Sequence, residues 1–215
     1  MKIKIFTFLL CINAFAFAQN KAKNLLDDVS KKVHSYDNIS IDFKYELSNK
    51  DTNTSQKTKG NVVVNGDKYV LNFLGATIMY DGTKFYKIVP ANEEVIISSE
   101  NSDLESSLTP SKMLTFYEEG YTYKMDIIQN VRGRKIQYVK LNPMDTNSEV
   151  KHVLLGIDAN TKHIYNMIEV GKNGTNTTLT VNSFKTNQTL SKTLFKFDQK
   201  KYEDKDYYID NIDEN

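Results

Sequence analysis

The chain of 215 residues has one cysteine, no tryptophan, three histidines and a formal net charge of only +1, and each shortage removes a class of function. The cysteine, Cys11, sits in a mostly apolar run, Ile5 to Phe17, between the basic start Met1-Lys2-Ile3-Lys4 and the small-x-small triplet Ala16-Phe17-Ala18. That order describes a secretory signal peptide over residues 1–18, cleaved ahead of Gln19. Cys11 follows Phe8-Leu9-Leu10, where a lipoprotein signal needs a small residue, so it reads as filler of the apolar run. The expected mature chain then has no thiol, no disulfide and no thiolate metal site. No later stretch approaches the roughly 20 apolar residues that a transmembrane helix requires.

Charge is scarce in the net rather than in number. Lys and Arg total 28 and Asp and Glu 27; removing Lys2 and Lys4 leaves 26 against 27, or −1. Such a chain has no overall field to gather nucleic acid or an anionic membrane surface, and any surface polarity must come from local clustering. Motifs are also scarce. His34, His152 and His163 show no HxH or HExxH spacing, so no metal is expected. The G-x-S-x-G elbow, the G-x-G-x-x-G turn and the Walker loop are all missing. Asp27-Asp28, Glu93-Glu94 and Glu118-Glu119 read as solvated faces, and the acidic stretch Tyr202 to Asn215 as a solvated tail.

What is present is alternation. Ala22, Leu25, Leu26, Val29, Val33 and Tyr36 recur at helical steps and predict an amphipathic first helix. The period then drops to two, with Ile39, Ile41, Phe43, Tyr45 and Leu47 between polar neighbours, as in a strand with one buried face. Strand-like runs follow near 59–65, 68–74, 76–81, 84–89 and 94–99, then near 121–129, 133–141, 150–158, 163–171 and 175–184, with Leu194 to Phe197 as a possible edge strand. Asn65-Gly66-Asp67 and Asp81-Gly82-Thr83 mark hairpins, the second expected as type I′. Between the two groups lies a polar loop, Ser98 to Ser107, and then Thr109-Pro110 opens a short helix that Gly120 stops. The expected fold is mainly β: an unclosed antiparallel half-barrel of about 11 strands, an N-terminal helix and a short helical lid, in one domain over 19–215.

The aromatic inventory leaves two readings open. Phe43 and Tyr45, Leu71 and Phe73, Ile78 and Tyr80, Tyr123 and Met125 stand at alternating positions. They would either fill a barrel or line a cavity for an apolar ligand.

The order of features resembles the LolA family, the periplasmic outer-membrane lipoprotein carriers of double-membraned bacteria. The likeness rests on the cleaved signal and first helix, Ile41-Asp42-Phe43, Gly60-Asn61-Val62-Val63-Val64, Tyr80-Asp81-Gly82-Thr83-Lys84-Phe85-Tyr86, Glu94-Val95, Pro110-Ser111-Lys112-Met113-Leu114, Leu141-Asn142-Pro143 and Phe195-Lys196-Phe197. It implies a non-catalytic, cofactor-free periplasmic carrier of acylated lipoproteins, and docking at two membranes in turn suits a monomer. An ATP-driven inner-membrane exporter would load it and an outer-membrane acceptor would unload it. The acyl chains would meet Ile41, Phe43, Tyr45, Val62, Val64, Leu71, Phe73, Ile78 and Tyr80, under a lid of Met113, Leu114, Phe116 and Tyr117. Family members often carry an Arg-Pro pair after the Gly-x-Val-x-Val strand, where the arginine helps latch the lid; this chain has Asn65-Gly66-Asp67, with Lys68 as the nearest base. The rivals are a binder of another lipid or apolar small molecule, a secreted hydrolase using His152 or His163, and a structural β-protein.

Overall fold

The computed structural model describes residues 20–99 and 110–213. The signal segment 1–18 and all of the polar loop beyond Ser99 lie outside them. The first helix, α1, covers residues 20–34. It buries Ala22, Leu26 and Val29, the i, i+4, i+7 stripe that helical periodicity requires, and Lys23 pairs with Asp27 one turn on at 2.7 Å across its wet face.

Twelve strands follow: β1 (Ile39–Asn49), β2 (Thr54–Asn65), β3 (Lys68–Phe73), β4 (Ala76–Tyr80), β5 (Phe85–Val89), β6 (Glu94–Ser98), β7 (Tyr121–Val131), β8 (Arg134–Pro143), β9 (Val150–Asp158), β10 (Ile164–Gly171), β11 (Thr175–Thr186) and β12 (Tyr208–Asn211). Two short helices interrupt them, α2 (Pro110–Met113) and α3 (Gln199–Glu203). The strands form one open sheet in the order β12-β6-β5-β4-β3-β2-β1-β11-β10-β9-β8-β7, with β12 and β7 at its two edges.

The chain groups into two compact units. One contains α1, residues 46–56 and Tyr117–Thr180. Its fully buried side chains include Ile136, Val139, Leu141, Val153, Leu155 and Ile157, brought together by the β8–β9 register Val139↔Leu155 and Leu141↔Val153. The other contains Tyr36–Tyr45, Lys57–Phe116 and Val181–Asn215. There Met79, Tyr86, Ile88, Val95 and Ile97 make a cluster against which Phe197, Tyr202, Tyr207 and Ile209 pack.

Three local expectations are corrected. Leu194 to Phe197 is not an edge strand; its residues turn, because Phe197 stacks on Tyr86 at 4.4 Å and on Tyr202 at 5.3 Å instead of joining a ladder. The acidic stretch from Tyr202 is not a free tail. It completes α3, whose cap is the Asp198 carboxylate accepting from Lys201 N, and supplies β12, parallel to β6 with Ile209 opposite Val95. Asp213 closes the arrangement by accepting from Ser99 N at 2.8 Å and Ser99 Oγ at 3.0 Å. Finally, the Asp81–Lys84 turn has positive φ at Gly82 but not at Thr83, whereas type I′ needs it at both central residues.

The Asp81 carboxylate organises that turn, accepting from Thr83 N at 2.8 Å, Lys84 N at 2.9 Å and the Tyr86 hydroxyl at 2.9 Å. Burial pushes the Asp81 carboxyl up, but these hydrogen bonds outweigh it and hold the group below the usual carboxylate range. Burial, then the Asp81 hydrogen bond and charge, push Tyr86 up to about 12. The signs are opposite. Asp81 contributes stability above the unfolded-state value near 3.9 and loses it as pH falls through its lowered folded value; Tyr86 contributes below about 10 and loses it as pH rises through about 12. In thermal unfolding, Tyr86→Phe should flatten the parent's decline on the alkaline side and Asp81→Asn its decline in acid. Parallel profiles for parent and variants would show that this pair carries no pH dependence.

Candidate functional site

Strand register decides which side chains share a face. Val62 lies opposite Leu71 and Val64 opposite Tyr69; Leu71 lies opposite Ile78 and Tyr69 opposite Tyr80. Tyr80 in turn faces Phe85. These pairings place Val62, Val64, Leu71, Phe73, Ile78 and Tyr80 on one side of β2–β4. From β1, the Phe43 ring reaches Phe73 at 5.6 Å and the Tyr45 ring reaches it at 5.2 Å, so β1 turns its odd-numbered residues, Ile41 included, to the same side. All nine expected sheet positions therefore share a face. Ile41, Phe43, Val62 and Val64 are buried, while Tyr45, Leu71, Phe73, Ile78 and Tyr80 are half-buried. On the opposite side, Met79 of β4 joins Tyr86 and Ile88 of β5 in a separate cluster.

Gly60 lets the aromatic group assemble. A Cβ at Gly60 would fall on the Phe43 ring, 2.8 Å from Cε2, and 2.9 Å from the Asn72 carbonyl oxygen. The Phe43 ring thus occupies the space a β2 side chain would take, and crosses to β3. Such ring contacts are worth about 0.5–1.5 kcal/mol each beyond area burial. Further along the face, Tyr80 stacks on Phe85 at 4.3 Å and meets Tyr69 at 6.2 Å.

A groove of about 580 Å³ adjoins this cluster, bounded by Phe43, Gly60, Phe73 and Ala76 and by the polar Asp42, Asn61, Asn72, Thr77 and Asn182. Its volume lies in the range of small-molecule sites. Asn72 Nδ2 donates to Asn61 Oδ1 at 2.9 Å and Thr77 Oγ1 to Asn72 Oδ1 at 2.7 Å. Of the thirteen expected positions only Phe43 and Phe73 border this groove.

The expected lid divides. α2 holds Met113, with Leu114 buried and Phe116 half-buried behind it, and α2 lies alongside β3. Tyr117 belongs instead to the first unit. It is 1% exposed and shares a cleft of about 250 Å³ with Leu26, Asp27 and Ser30 of α1. Burial, then the charges of Glu118 and Asp27, push its hydroxyl well above the usual tyrosine value, and Ser30 Oγ donates to Glu118 beside it. Lys68, the base nearest the missing Arg-Pro, runs along the β4–β5 turn, where a Cβ at Gly82 would meet its Cε at 3.3 Å.

The two histidines of the hydrolase reading sit in similar electrostatic settings. Burial first, then neighbouring lysines, hold both below the usual imidazole value: Lys140 and Lys151 at His152, and Lys32 at His163. Among the described residues no group of three metal-ligating side chains comes together.

The model of the outer membrane lipoprotein carrier protein LolA matches residues 34–198, and the chain belongs to that family. Its members are carrier or binding proteins for lipids or lipoproteins, not enzymes. A comparison with curated protein sequences finds no match. Among solved structures, an uncharacterized conserved protein from Thermus thermophilus is similar with a TM-score of 0.59 at 11% identity, covering 89% of this chain and 99% of the other. A LolA superfamily protein from Nitrosomonas europaea gives 0.42 at 12% identity over 83% and 98%. Lipoprotein LppX from Mycobacterium tuberculosis gives 0.47 at 13% identity over 79% and 98%.

The Gly60–Phe43 fit yields a test. Gly60→Ala should destabilise by about 1–3 kcal/mol through overpacking. Phe43→Leu should return part of that loss in the double variant, a coupling that denaturant melts of the four proteins would read. Gly60→Ala melting with the parent would show that the ring does not fill this space.

Proposed function

We propose that this protein is a periplasmic carrier that holds the acyl chains of lipoproteins on the apolar face of β1–β4 and shuttles them from the inner to the outer membrane. The observation behind this reading is the common face of Ile41, Phe43, Tyr45, Val62, Val64, Leu71, Phe73, Ile78 and Tyr80 in a chain of the lipoprotein-carrier family. The mature carrier is the single domain 19–215, and Met113, Leu114 and Phe116 act as its lid, without Tyr117, which is packed against α1. An ATP-driven exporter loads it and an outer-membrane acceptor receives the cargo.

The energetics fit a handover. At roughly 0.8 kcal/mol per buried CH₂, a long acyl chain represents on the order of 10 kcal/mol of transfer free energy, so release into water is slow and transfer proceeds by direct contact. Binding has to part the Phe73 ring from those of Phe43 and Tyr45, both of which it touches in this state. Their mutual contact returns when cargo leaves and offsets part of the cost of release.

A second reading, a periplasmic binder of another lipid or apolar small molecule, is favoured by one observation. The Arg-Pro latch is replaced by Asn65-Gly66-Asp67, and the Lys68 stem lies along the Gly82 turn.

Native mass spectrometry of the mature protein, purified without detergent from the periplasm of a double-membraned host, separates the two. The carrier reading expects bound acylated lipoprotein that is lost in Phe73→Glu and Phe116→Glu, with secretion and melting close to the parent. A bound lipid of another kind supports the second reading. A bare mass, with no uptake from a loaded exporter, overturns both.

A further inference from the structure

The near-neutral chain concentrates positive charge in one hairpin. Across β7 and β8, Tyr121 to Pro143, stand Lys124, Arg132, Arg134, Lys135 and Lys140 against the single carboxylate Asp126, five cations to one anion, for a net +4. Lys124 and Lys140 lie directly opposite each other across the ladder. Such a like-charge pair is unfavourable for the hairpin alone. The tip adds Arg132, Arg134 and Lys135, all exposed. The β9–β10 turn lies beside them, with Ala159 N donating to Lys135 O at 2.9 Å, and brings Lys162. The acid nearest the tip, Asp158, is buried; its Oδ1 accepts from Asn160 N and Thr161 N, and Arg134 stands 4.0 Å from its Oδ2.

The same hairpin presents apolar side chains. Ile127 is 56% and Ile128 52% exposed, although they are adjacent on a strand, where alternation would turn one of them inward. A break in the β7–β8 register between Met125 and Ile128 permits this. The bulge is supported from within: the buried Gln137 amide donates to Asp126 O at 2.8 Å and Ile127 O at 3.3 Å. Asp126 turns its carboxylate onto Ile127 N at 2.8 Å, so the one acid of the hairpin is spent on its own backbone.

Together these features select an occupant. β7 is an edge strand of the sheet, but a bulge in its middle interrupts the spacing that an added strand needs. A soluble polyanion would use the cations and have no use for two exposed isoleucines. Basic side chains flanking a small apolar pair match the headgroup region of an anionic bilayer. We propose that the β7–β8 hairpin docks on anionic lipid headgroups through its tip, Arg132 and Lys135 meeting phosphates while Ile127 and Ile128, the latter on the Lys135 face, enter beside them. This does not depend on what the apolar face of β1–β4 carries.

The test is co-sedimentation of the full mature protein with phosphatidylcholine vesicles, with and without phosphatidylglycerol, at low and at physiological salt. The expected result is binding only to vesicles containing phosphatidylglycerol, weakening as salt rises. At roughly fivefold per cation near an anionic surface, Arg132→Glu with Lys135→Glu should weaken it at least about 25-fold and remove most of the salt dependence. Ile127→Ser with Ile128→Ser should weaken it several-fold and leave the salt slope unchanged. All four positions are exposed, and matching thermal melts would exclude misfolding; the two double variants also test the surface independently. Parent protein that ignores both kinds of vesicle overturns the proposal and leaves the hairpin to an acidic protein. So does binding that neither double variant alters.

Discussion

Everything in the second unit depends on strand register being kept across β2, β3, β4 and β5. A slip of one residue between any pair would carry a whole row of side chains through the sheet. Here neither side is a neutral place to land. One face carries Val62, Leu71, Ile78, Val64, Tyr69 and Tyr80 in matched rows. The other carries Met79, Tyr86, Ile88, Val95 and Ile97 beneath Phe197, Tyr202, Tyr207 and Ile209. With both faces apolar, hydrophobicity by itself discriminates poorly between registers, so specific devices must. The Phe43 ring set into the gap at Gly60 is one, and the Asp81 turn that starts β5 is another.

The two faces meet different partners. The Phe197–Tyr207 segment of the same chain covers the Met79–Ile97 cluster permanently, in the manner of an ordinary core. The Phe43–Phe73 side is held by rings that touch each other over limited area, and its half-buried members retain exposure. Self-contact among a few aromatics buries far less area than the covering segment does.

Much of this could be read in advance wherever one side of a strand is wet. Ile39 to Leu47 alternates cleanly, and α1 shows its stripe in Ala22, Leu26 and Val29, because burial there is one-sided and leaves a period. The start of β2, Thr54 to Lys59, was illegible since both sides are largely exposed and no period results. β12 and α3 were hidden for a different reason: Tyr202, Tyr207 and Ile209 are scattered among acids, and what places them is an apolar surface formed more than a hundred residues earlier. Leu194 to Phe197 gave the converse error, an alternation produced by a turn whose one aromatic stacks elsewhere. The bulge at Asp126–Ile127 leaves no mark in composition, as it arises from the ladder count between two strands.

The parallel placement of β12 on β6 also bears on the order in which the molecule is completed. Ser99, at the end of β6, and Asp213, just beyond β12, are joined over a sequence separation of 114 residues, while β2 to β6 zip up through consecutive hairpins. During synthesis from the N-terminus the outer edge of β6 has no strand to accept until Tyr208–Asn211 has emerged, which makes that edge the slow, long-loop step of assembly. Until then an open row of backbone donors and acceptors lies beside Val95 and Ile97, a template for pairing with another chain. The last strand is therefore a guard as much as a support: its arrival ends the interval in which a newly made molecule is most prone to join a neighbour.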